Sequence, residues 1–327
     1  MIKLEIILIS TEAIVGWPTL ELQIIKFGFM SQVFINFREK EIPKMHYGCQ
    51  SMIDQLKVVL VRRPDASFAV DDPQLWGYPS SPNMLLAQQE HDKFVDILND
   101  VGVKVLYHDE DLVDCADAIF VRDPAIIISD GAIIFQMAKK LRLGEGEGIR
   151  RCLEKLGIPI LHQFSGDVFI DGGDLVWIDN HTLAVGQGPR TGKAGFDQLE
   201  KLLSRHGIQV LPVPFSNALH LASVFCPIHH NIAVVLPNYL PESFTDFLVK
   251  RGFNLITLPD EEDDSLGISI LTLSPGKCLM LEGNPVTMRR LQSAGCDVMT
   301  YQGDEISLKG GGGALCLTQP LLRESKI

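Results

Sequence analysis

One pattern recurs five times along the chain and limits its fold more than any other feature. Each copy is a helical stretch, a glycine and then a short run rich in β-branched residues, and the copies are spaced by roughly 40–55 residues. The glycine stands where a helix C-terminus favours the left-handed conformation, and the run after it is typical of a buried strand. The sequence therefore predicts five helix–glycine–strand units, with the glycines at Gly102, Gly157, Gly207, Gly252 and Gly295.

Pairs of short apolar runs around turn residues lie between these copies, as in segments 125–136, 174–187 and 270–283. Such a pair is typical of a β-hairpin, so each unit is expected to be β-β-α-β. Units of this kind can close radially, and we predict an α/β fold in the form of a five-bladed α/β-propeller with pseudo-fivefold symmetry. A doubly wound sheet, which also alternates helices and strands, is the alternative.

The first 44 residues are expected to lie outside this functional fold. Their apolar run is interrupted by Glu5 and Glu12, which leaves it shorter than the ~20 residues of a membrane-spanning helix. A signal peptide is not expected either, because Glu5 closely follows Lys3 and no small-residue cleavage site follows the apolar run. We therefore predict an N-terminal extension over residues 1–44 and a single catalytic domain over residues 45–327.

Charge and cysteine content argue against several classes of function. A formal net charge of -12 argues against a nucleic-acid surface and suits a cationic small-molecule substrate. The seven cysteines are scattered without metal-ligand spacing and are interpreted as reduced thiols of a cytoplasmic protein. No nucleotide-binding glycine motif is present, and we expect no cofactor, no metal and no membrane association. A homodimer is compatible with the sequence, which does not fix the oligomeric state.

Two segments place carboxylates beside predicted strands. In "FVRDP", Asp123 ends an apolar run, and in "DGGD", Asp171 and Asp174 bracket two glycines between two predicted strands. Both patterns also occur as ordinary turns. A guanidinium is a flat cation that carboxylates bind in bidentate fashion, so these three acids are candidates for binding such a group.

Two further segments carry a histidine and a cysteine. His220 lies in a predicted extended run, "NALHLASVFC", where alternation places Ala222 and Val224 on the same face and leaves room for a ligand. A histidine on such a strand is more often a core residue. Cys316 follows four glycines in "GGGGALC". Buried cysteines are usually inert, but a glycine run is entropically costly and allows the chain to approach a ligand closely. Cys316 is therefore the candidate nucleophile.

The motifs "FVRDP", "DGGD", "LHLAS" and "GGGALC" occur in this order over about residues 46–323, and their order is more specific than any one of them. At these motifs the sequence resembles the guanidino-group-modifying enzymes, which include arginine deiminases, dimethylarginine dimethylaminohydrolases and amidinotransferases and share the pentein fold. The resemblance implies catalytic roles for Cys316, His220 and Asp171. It also implies that Asp123 binds the guanidinium and that Arg190 holds the substrate α-carboxylate.

The departures from the family pattern concern the substrate. Arginine deiminases and amidinotransferases usually carry an aspartate two residues after the histidine, where this chain has Ala222. The compact length and "DGGD" favour the dimethylarginine hydrolases, whereas "RDP" and the glycine run favour the deiminases. The guanidino substrate therefore stays open.

The mechanism implied by the resemblance begins when the Cys316 thiolate attacks the guanidinium carbon and His220 protonates the departing nitrogen. The nitrogen leaves as ammonia or an alkylamine, and water activated by neutral His220 then attacks the remaining thiouronium and releases citrulline. The expected enzyme is thus a hydrolase of arginine or an N-methylated arginine. Two alternatives are an amidinotransferase with the same residues and a non-catalytic pentein-fold binding protein, against which the joint presence of acid, histidine and cysteine argues.

Overall fold

Fifteen strands form five separate three-stranded sheets in the residues that the computed structural model describes, 45–112 and 114–325. The described residues belong to one compact unit. The predicted extension, residues 1–44, lies outside the described residues. No helix in the described part of the chain is long and apolar enough to cross a membrane.

The strands and helices have the following bounds. The strands are β1 Gln55–Val61, β2 Lys104–Tyr107, β3 Ala125–Ile128, β4 Gly131–Ile134, β5 Ile160–Gln163, β6 Leu175–Asp179, β7 Thr182–Gln187, β8 Gln209–Pro214, β9 Phe225–His229, β10 Ile232–Val235, β11 Asn254–Thr257, β12 Leu271–Ser274, β13 Lys277–Leu281, β14 Asp297–Tyr301 and β15 Gln319–Glu324. The helices are α1 Pro73–Trp76, α2 Met84–Asp100, α3 Glu145–Lys155, α4 Lys193–Ser204, α5 Glu242–Lys250 and α6 Pro285–Ser293.

Four of the sheets are built from consecutive elements in the same order. In the first of them, β3 and β4 form an antiparallel hairpin, α3 follows, and β5 returns parallel to β4. The sheets β6-β7-β8, β9-β10-β11 and β12-β13-β14 repeat this order with α4, α5 and α6. The predicted β-β-α-β unit and the three predicted hairpins are therefore confirmed.

The fifth sheet joins the two ends of the described chain. Strand β15 pairs antiparallel with β1, for example Gln319 with Leu60, and β2 returns parallel to β1 after α2. The sequence did not predict this pairing, because its partners are far apart in the chain. The α/β class is confirmed, whereas the radial arrangement with fivefold symmetry stays a prediction.

The repeated glycines end the helices as predicted. Their φ angles lie between +71° at Gly207 and +88° at Gly252, the left-handed region that a side chain with a Cβ rarely adopts. The helices that precede these glycines bury apolar residues; α4, for example, buries Phe196, Leu199 and Leu203 at helical spacing.

In each sheet the strand that returns after the helix is the most exposed of the three. All four residues of β3 are buried, whereas β5, the last strand of that sheet, has two partly buried and two exposed residues. The same gradient separates β9 from β11. The segments before β3 and β6 are buried as well, as Asp123 and Asp171 show, and segments of this kind carry the polar residues described next.

Candidate active site

The polar site residues lie in the turns that lead into the antiparallel outer strand of each sheet, namely β3, β6, β9, β12 and β15. We call these turns the entry turns. The site residues are Asp123 before β3, Asp171 and Asp174 before β6, His220 before β9, Ser269 before β12 and Cys316 before β15. Thus every sheet contributes one entry turn. Ser269 was missed by sequence reasoning, although its place before the predicted hairpin at 270–283 is equivalent to that of the other site residues.

Two local predictions about these turns were wrong. His220 is not inside a strand: it precedes a single 3-10 turn, Leu221–Ser223, and β9 begins only at Phe225. The "DGGD" segment is not a hairpin turn between two strands, because Gly172–Asp174 is a 3-10 turn and a non-regular segment precedes it. In both places local hydrogen bonds in the turn replace the ladder bonds of a strand.

Hydrogen bonds connect the entry turns to one another. The Gly172 N–H donates to the Asp123 carbonyl at 2.7 Å, and the Arg122 N–H donates to the Cys316 carbonyl at 3.4 Å. The Leu221 N–H donates to Asp174 Oδ1 at 3.0 Å. The structure therefore brings the four predicted motifs together, although they are separated widely in the sequence.

His220 and Asp171 form a buried pair at the centre of the site. His220 Nε2 lies 3.3 Å from Asp171 Oδ2, and Arg190 Nη1 donates to the same oxygen at 3.0 Å. The other oxygen, Oδ1, accepts from the Ala138 N–H at 3.1 Å. Burial would raise the pKa of Asp171, but His220, Arg142 and the Ala138 N–H outweigh it, and the pKa is lowered. Asp171 is therefore an anion that orients the imidazole.

The imidazole of His220 is surrounded by carboxylates. Burial lowers the pKa of His220, but Asp123, Asp171 and Asp174 outweigh burial and raise it. The raised pKa favours the protonated form of the imidazole, which is the form that a general acid needs.

The two glycines of "DGGD" are required by close contacts. A Cβ on Gly173 would lie 2.5 Å from His220 Nδ1, and a Cβ on Gly172 would lie 2.4 Å from the Arg122 carbonyl oxygen. Both distances are far below van der Waals contact. The glycines therefore let the histidine ring and the "FVRDP" turn pack directly on this backbone.

Asp174 is fully buried and lies against the turn that carries His220. Its Oδ1 accepts from the Leu221 N–H, and its Oδ2 has no hydrogen-bond partner among the described residues. Burial raises the pKa of Asp174 to about 6, although His220 opposes this effect. Its contacts are those of a residue that positions His220, and its predicted role in substrate binding stays a prediction.

Asp123 is paired with an arginine that sequence reasoning missed. Arg142 Nη1 donates to Asp123 Oδ2 at 2.7 Å, and the same guanidinium makes two hydrogen bonds of 2.8 Å to Glu145. Asp123 Oδ1 is buried without a partner among the described residues. The protein thus already places a guanidinium against one oxygen of Asp123 and leaves the other available. Arg142 carries no motif signal in the sequence.

A second acid, Asp117, lies in the same segment as Asp123. Its carboxylate accepts from Tyr78 Oη at 2.9 Å and from Lys139 Nζ at 2.7 Å. Lys139 Nζ also donates to the Trp76 carbonyl at 2.7 Å and lies 4.7 Å from the centroid of the Trp76 ring. These contacts tie the segment around α1 to the site.

The Cys316 thiol is partly buried and lies 3.8 Å from Ser269 Oγ. Burial and the negative charge of Asp123 raise the pKa of the Cys316 thiol to about 11, against the opposing effect of the Ser269 contact. The resting cysteine is therefore a thiol. A cationic group bound beside Asp123 would favour the thiolate, which is the nucleophilic form.

The glycine run before Cys316 fits around protein side chains. A Cβ on Gly310 or Gly312 would lie 2.5 Å from the Phe120 ring, and a Cβ on Gly313 would lie 2.7 Å from the Ser269 side chain. The glycine run therefore approaches protein side chains closely, those of the "FVRDP" turn and of the turn that carries Ser269. These contacts hold Cys316 next to both turns.

The residues brought together are a thiol, an imidazole paired with a carboxylate, and further buried acids. This set can provide a nucleophile, a general acid and a cation-binding surface. No cluster of three or more potential metal-ligating side chains occurs within residues 45–112 and 114–325.

Comparisons with known proteins identify the family of this chain. The family model described as "N,N dimethylarginine dimethylhydrolase, eukaryotic" matches residues 77–323. The N(G),N(G)-dimethylarginine dimethylaminohydrolase of Pseudomonas aeruginosa is 25% identical over 264 residues, covering 80% of this chain and 98% of that protein. An arginine deiminase of Mycobacterium marinum is 26% identical over 280 residues, covering 70% of this chain and 67% of that protein.

A solved structure supports the fold assignment. The N-terminal domain of the cyanobacterial arginine dihydrolase ArgZ superposes with a TM-score of 0.70 at 18% identity, covering 82% of this chain and 98% of that one. The predicted resemblance to the guanidino-group-modifying enzymes is confirmed. The chain belongs to the eukaryotic N,N-dimethylarginine dimethylhydrolase family.

Proposed function

We propose that this protein is a cysteine-dependent hydrolase of the guanidino group of arginine or an N-methylated arginine. The products would be citrulline and either ammonia or an alkylamine. The observation that carries the proposal is the convergence of the His220–Asp171 pair, Asp123 and Cys316 in hydrogen-bonded entry turns. The family assignment and its guanidino-hydrolysing relatives support the same reaction class.

Substrate binding would depend on the acids of the site. Asp123 Oδ1, which is buried without a partner among the described residues, would accept N–H donors of the substrate guanidinium. Arg190 uses one nitrogen on Asp171 and keeps side-chain exposure of 17%, so its other N–H groups could bind a substrate carboxylate. The acidic chain as a whole, with a net charge of -12, would attract such a cation.

The reaction would proceed in two stages. In the first, the bound cation favours ionisation of Cys316, Sγ adds to the guanidinium carbon, and the C–N bond to the departing nitrogen breaks as His220 donates its proton. In the second, neutral His220 takes a proton from water, the hydroxide adds to the thiouronium carbon, and the C–S bond breaks. The thiolate leaves, and the ureido product forms. Asp171 would keep the imidazole oriented through both stages.

We also propose an overall architecture for the five sheets and a cellular location for the protein. The five sheets would surround a common axis as the blades of a pentein propeller, with the entry turns at one end of that axis. A cytoplasmic location would keep the thiols reduced.

The direct test is an assay of purified full-length protein with arginine and, separately, with dimethylarginine, in which citrulline, ammonia and dimethylamine are measured. The expected result is citrulline formation that is lost in Cys316→Ser and retained in Cys296→Ser, a change at a cysteine outside the site. The by-product would identify the substrate.

An amidinotransferase would give a different result in the same assay. It would yield ornithine from arginine only when an acceptor amine is added, with an amidino product that retains the transferred carbon. No turnover of any guanidino compound with or without amines, in protein shown to be folded, would contradict the hydrolase proposal.

A further inference from the structure

A small cavity of about 20 Å³ adjoins the entry turns, and Cys316, His220 and Asp171 do not line it. It is lined by Arg122 and Gly172 from two entry turns, and by Cys49, Gln319 and Arg323 from the sheet that joins the chain ends. A cavity needs about 10–15 Å³ to hold one water molecule. The space therefore fits a particle of about that size and excludes a larger polyatomic group.

Two buried guanidinium groups line this cavity. Arg122 and Arg323 are 9% and 8% exposed. Arg122 Nη2 donates to the Leu175 carbonyl at 3.1 Å and contacts Met52 Sδ at 3.5 Å, and Arg323 Nη1 donates to the Asp54 carbonyl. The Nε–H group of each arginine is buried and has no hydrogen-bond partner among the described residues.

Neither guanidinium forms an ion pair with a carboxylate within residues 45–112 and 114–325. Asp54 is the carboxylate that acts on Arg323, but its Oδ2 accepts from Ser325 Oγ instead. Arg142, in contrast, is held by Asp123 and Glu145. Arginine does not lose its proton in proteins, and burial of an unpaired charge is costly. A negative charge inside the cavity would therefore stabilise two guanidinium groups that no ion pair among the described residues neutralises and that Asp54, near Arg323, offsets only in part.

We propose that this cavity binds one monovalent anion of chloride size between Arg122 and Arg323. The Nε–H groups of both arginines would donate to the anion, and the anion would offset part of their charge. Gln319 Oε1 is a buried acceptor at the same cavity, and it would face away from the anion or bind a water beside it. Because Arg122 adjoins Asp123, the anion would also fix the backbone of the "FVRDP" turn.

A bound water molecule and an ionised Cys49 are two alternatives to a bound anion, and each would give a different experimental result. A water molecule would fill the space and satisfy the hydrogen bonds, but it would leave both charges uncompensated. Ionisation of Cys49, whose thiol lies at the cavity and contacts the Ser51 carbonyl, would supply the negative charge from the protein itself. Burial raises the pKa of Cys49, although Arg323 and Arg122 oppose this effect.

The test uses full-length protein freed of chloride by dialysis into sodium gluconate. Thermal unfolding is followed as chloride or bromide replaces gluconate at constant ionic strength. We expect a saturable rise of several degrees in Tm with either halide, because a ligand that binds only the folded state stabilises it. Arg122→Met should abolish this rise, whereas Arg205→Met, at an exposed arginine, should keep it.

Crystals of the unmodified protein grown in bromide provide a measurement that does not depend on a variant that folds. The expected result is an anomalous bromine peak between the two Nε atoms. A cavity with water and no bromide peak, together with a Tm that does not respond to halide, would overturn the proposal. So would thiolate absorbance near 240 nm at neutral pH that disappears in Cys49→Ser.

Discussion

The imidazole of His220 lies between Asp171, whose Oδ2 is 3.3 Å from Nε2, and the bare backbone of Gly173. The contact with Asp171 favours the protonated ring, and the contact with Gly173 fixes the position of the ring. These two effects can be tested separately, because a change at Asp171 alters the first and a change at Gly173 alters the second.

Asp171→Asn should reduce kcat by about 10²–10⁴-fold, because an amide cannot stabilise the protonated imidazole. The carboxylates raise the pKa of His220, so loss of one should lower it. Activity that requires protonated His220 should then decline at lower pH than in the unmodified enzyme. A pH–rate profile measures this shift, with Asp167→Asn at an exposed acid as the control. An unchanged alkaline limb would show that Asp171 does not act through His220.

Gly173→Ala should reduce kcat by about 10²-fold, because its Cβ would lie 2.5 Å from His220 Nδ1 and displace the ring. Gly192→Ala is a matched control, since a Cβ at Gly192 would meet no atom within 4 Å. Steady-state kinetics and thermal unfolding of both variants are the measurements. Equal activity of the two variants would contradict the packing of His220 on Gly173.

The reactivity of Cys316 should show that its resting form is a thiol. Because its pKa is raised to about 11, alkylation by neutral iodoacetamide should increase about tenfold per pH unit from pH 7 to 10 without a plateau. Asp123→Asn should accelerate this reaction at pH 8, because removal of the negative charge lowers the thiol pKa. The same variant should slow alkylation by a reagent that carries an amidinium, because the acid that attracts the cation is lost. Cys316→Ser identifies the labelled site, and a slower reaction of Asp123→Asn with both reagents would argue against this charge effect.

Asp174→Asn should stabilise the folded protein at pH 8. The folded pKa of Asp174 is raised to about 6, so the folded state holds this proton more tightly than the unfolded chain does. The stability of the unmodified protein should therefore decline as pH rises from about 4 to 6, whereas Asn keeps the acceptor for Leu221 without a buried charge. We expect the free energy of unfolding at pH 8 to rise by about 1–3 kcal/mol. This gain should shrink below pH 4 in urea unfolding measurements; a loss of stability at pH 8 would show that the charge of Asp174 is needed for folding.

The regular part of the fold could be predicted because its signals are local. A glycine after a helix needs only its own φ angle, as at Gly102 and Gly157, and a hairpin needs only two short runs and a turn. The pairing of β1 with β15 could not be predicted in this way, because nothing near Leu60 specifies Gln319 as its partner.

The site was predictable in part for a similar reason. His220 and Cys316 stand in motifs whose order along the chain is specific, and the structure connects those motifs by hydrogen bonds. Arg142 and Ser269 stand in no motif, and their importance comes only from what they touch, Asp123 and the Cys316 thiol. The segment "EEDD" at 261–264 also shows this limit: a run of four acids predicts a solvated loop, yet Glu262 is buried and accepts from the backbone N–H groups at the start of α6.

The pairing of β15 with β1 also determines when Cys316, the candidate nucleophile, can reach its place. While the chain is being synthesised, β1 lacks its antiparallel neighbour, because β15 follows every other described strand in the sequence. Cys316 precedes that strand by only three residues. Cys316 therefore reaches the other entry turns only when β15 pairs with β1, so formation of the candidate site is coupled to the contact that joins the two ends of the described chain.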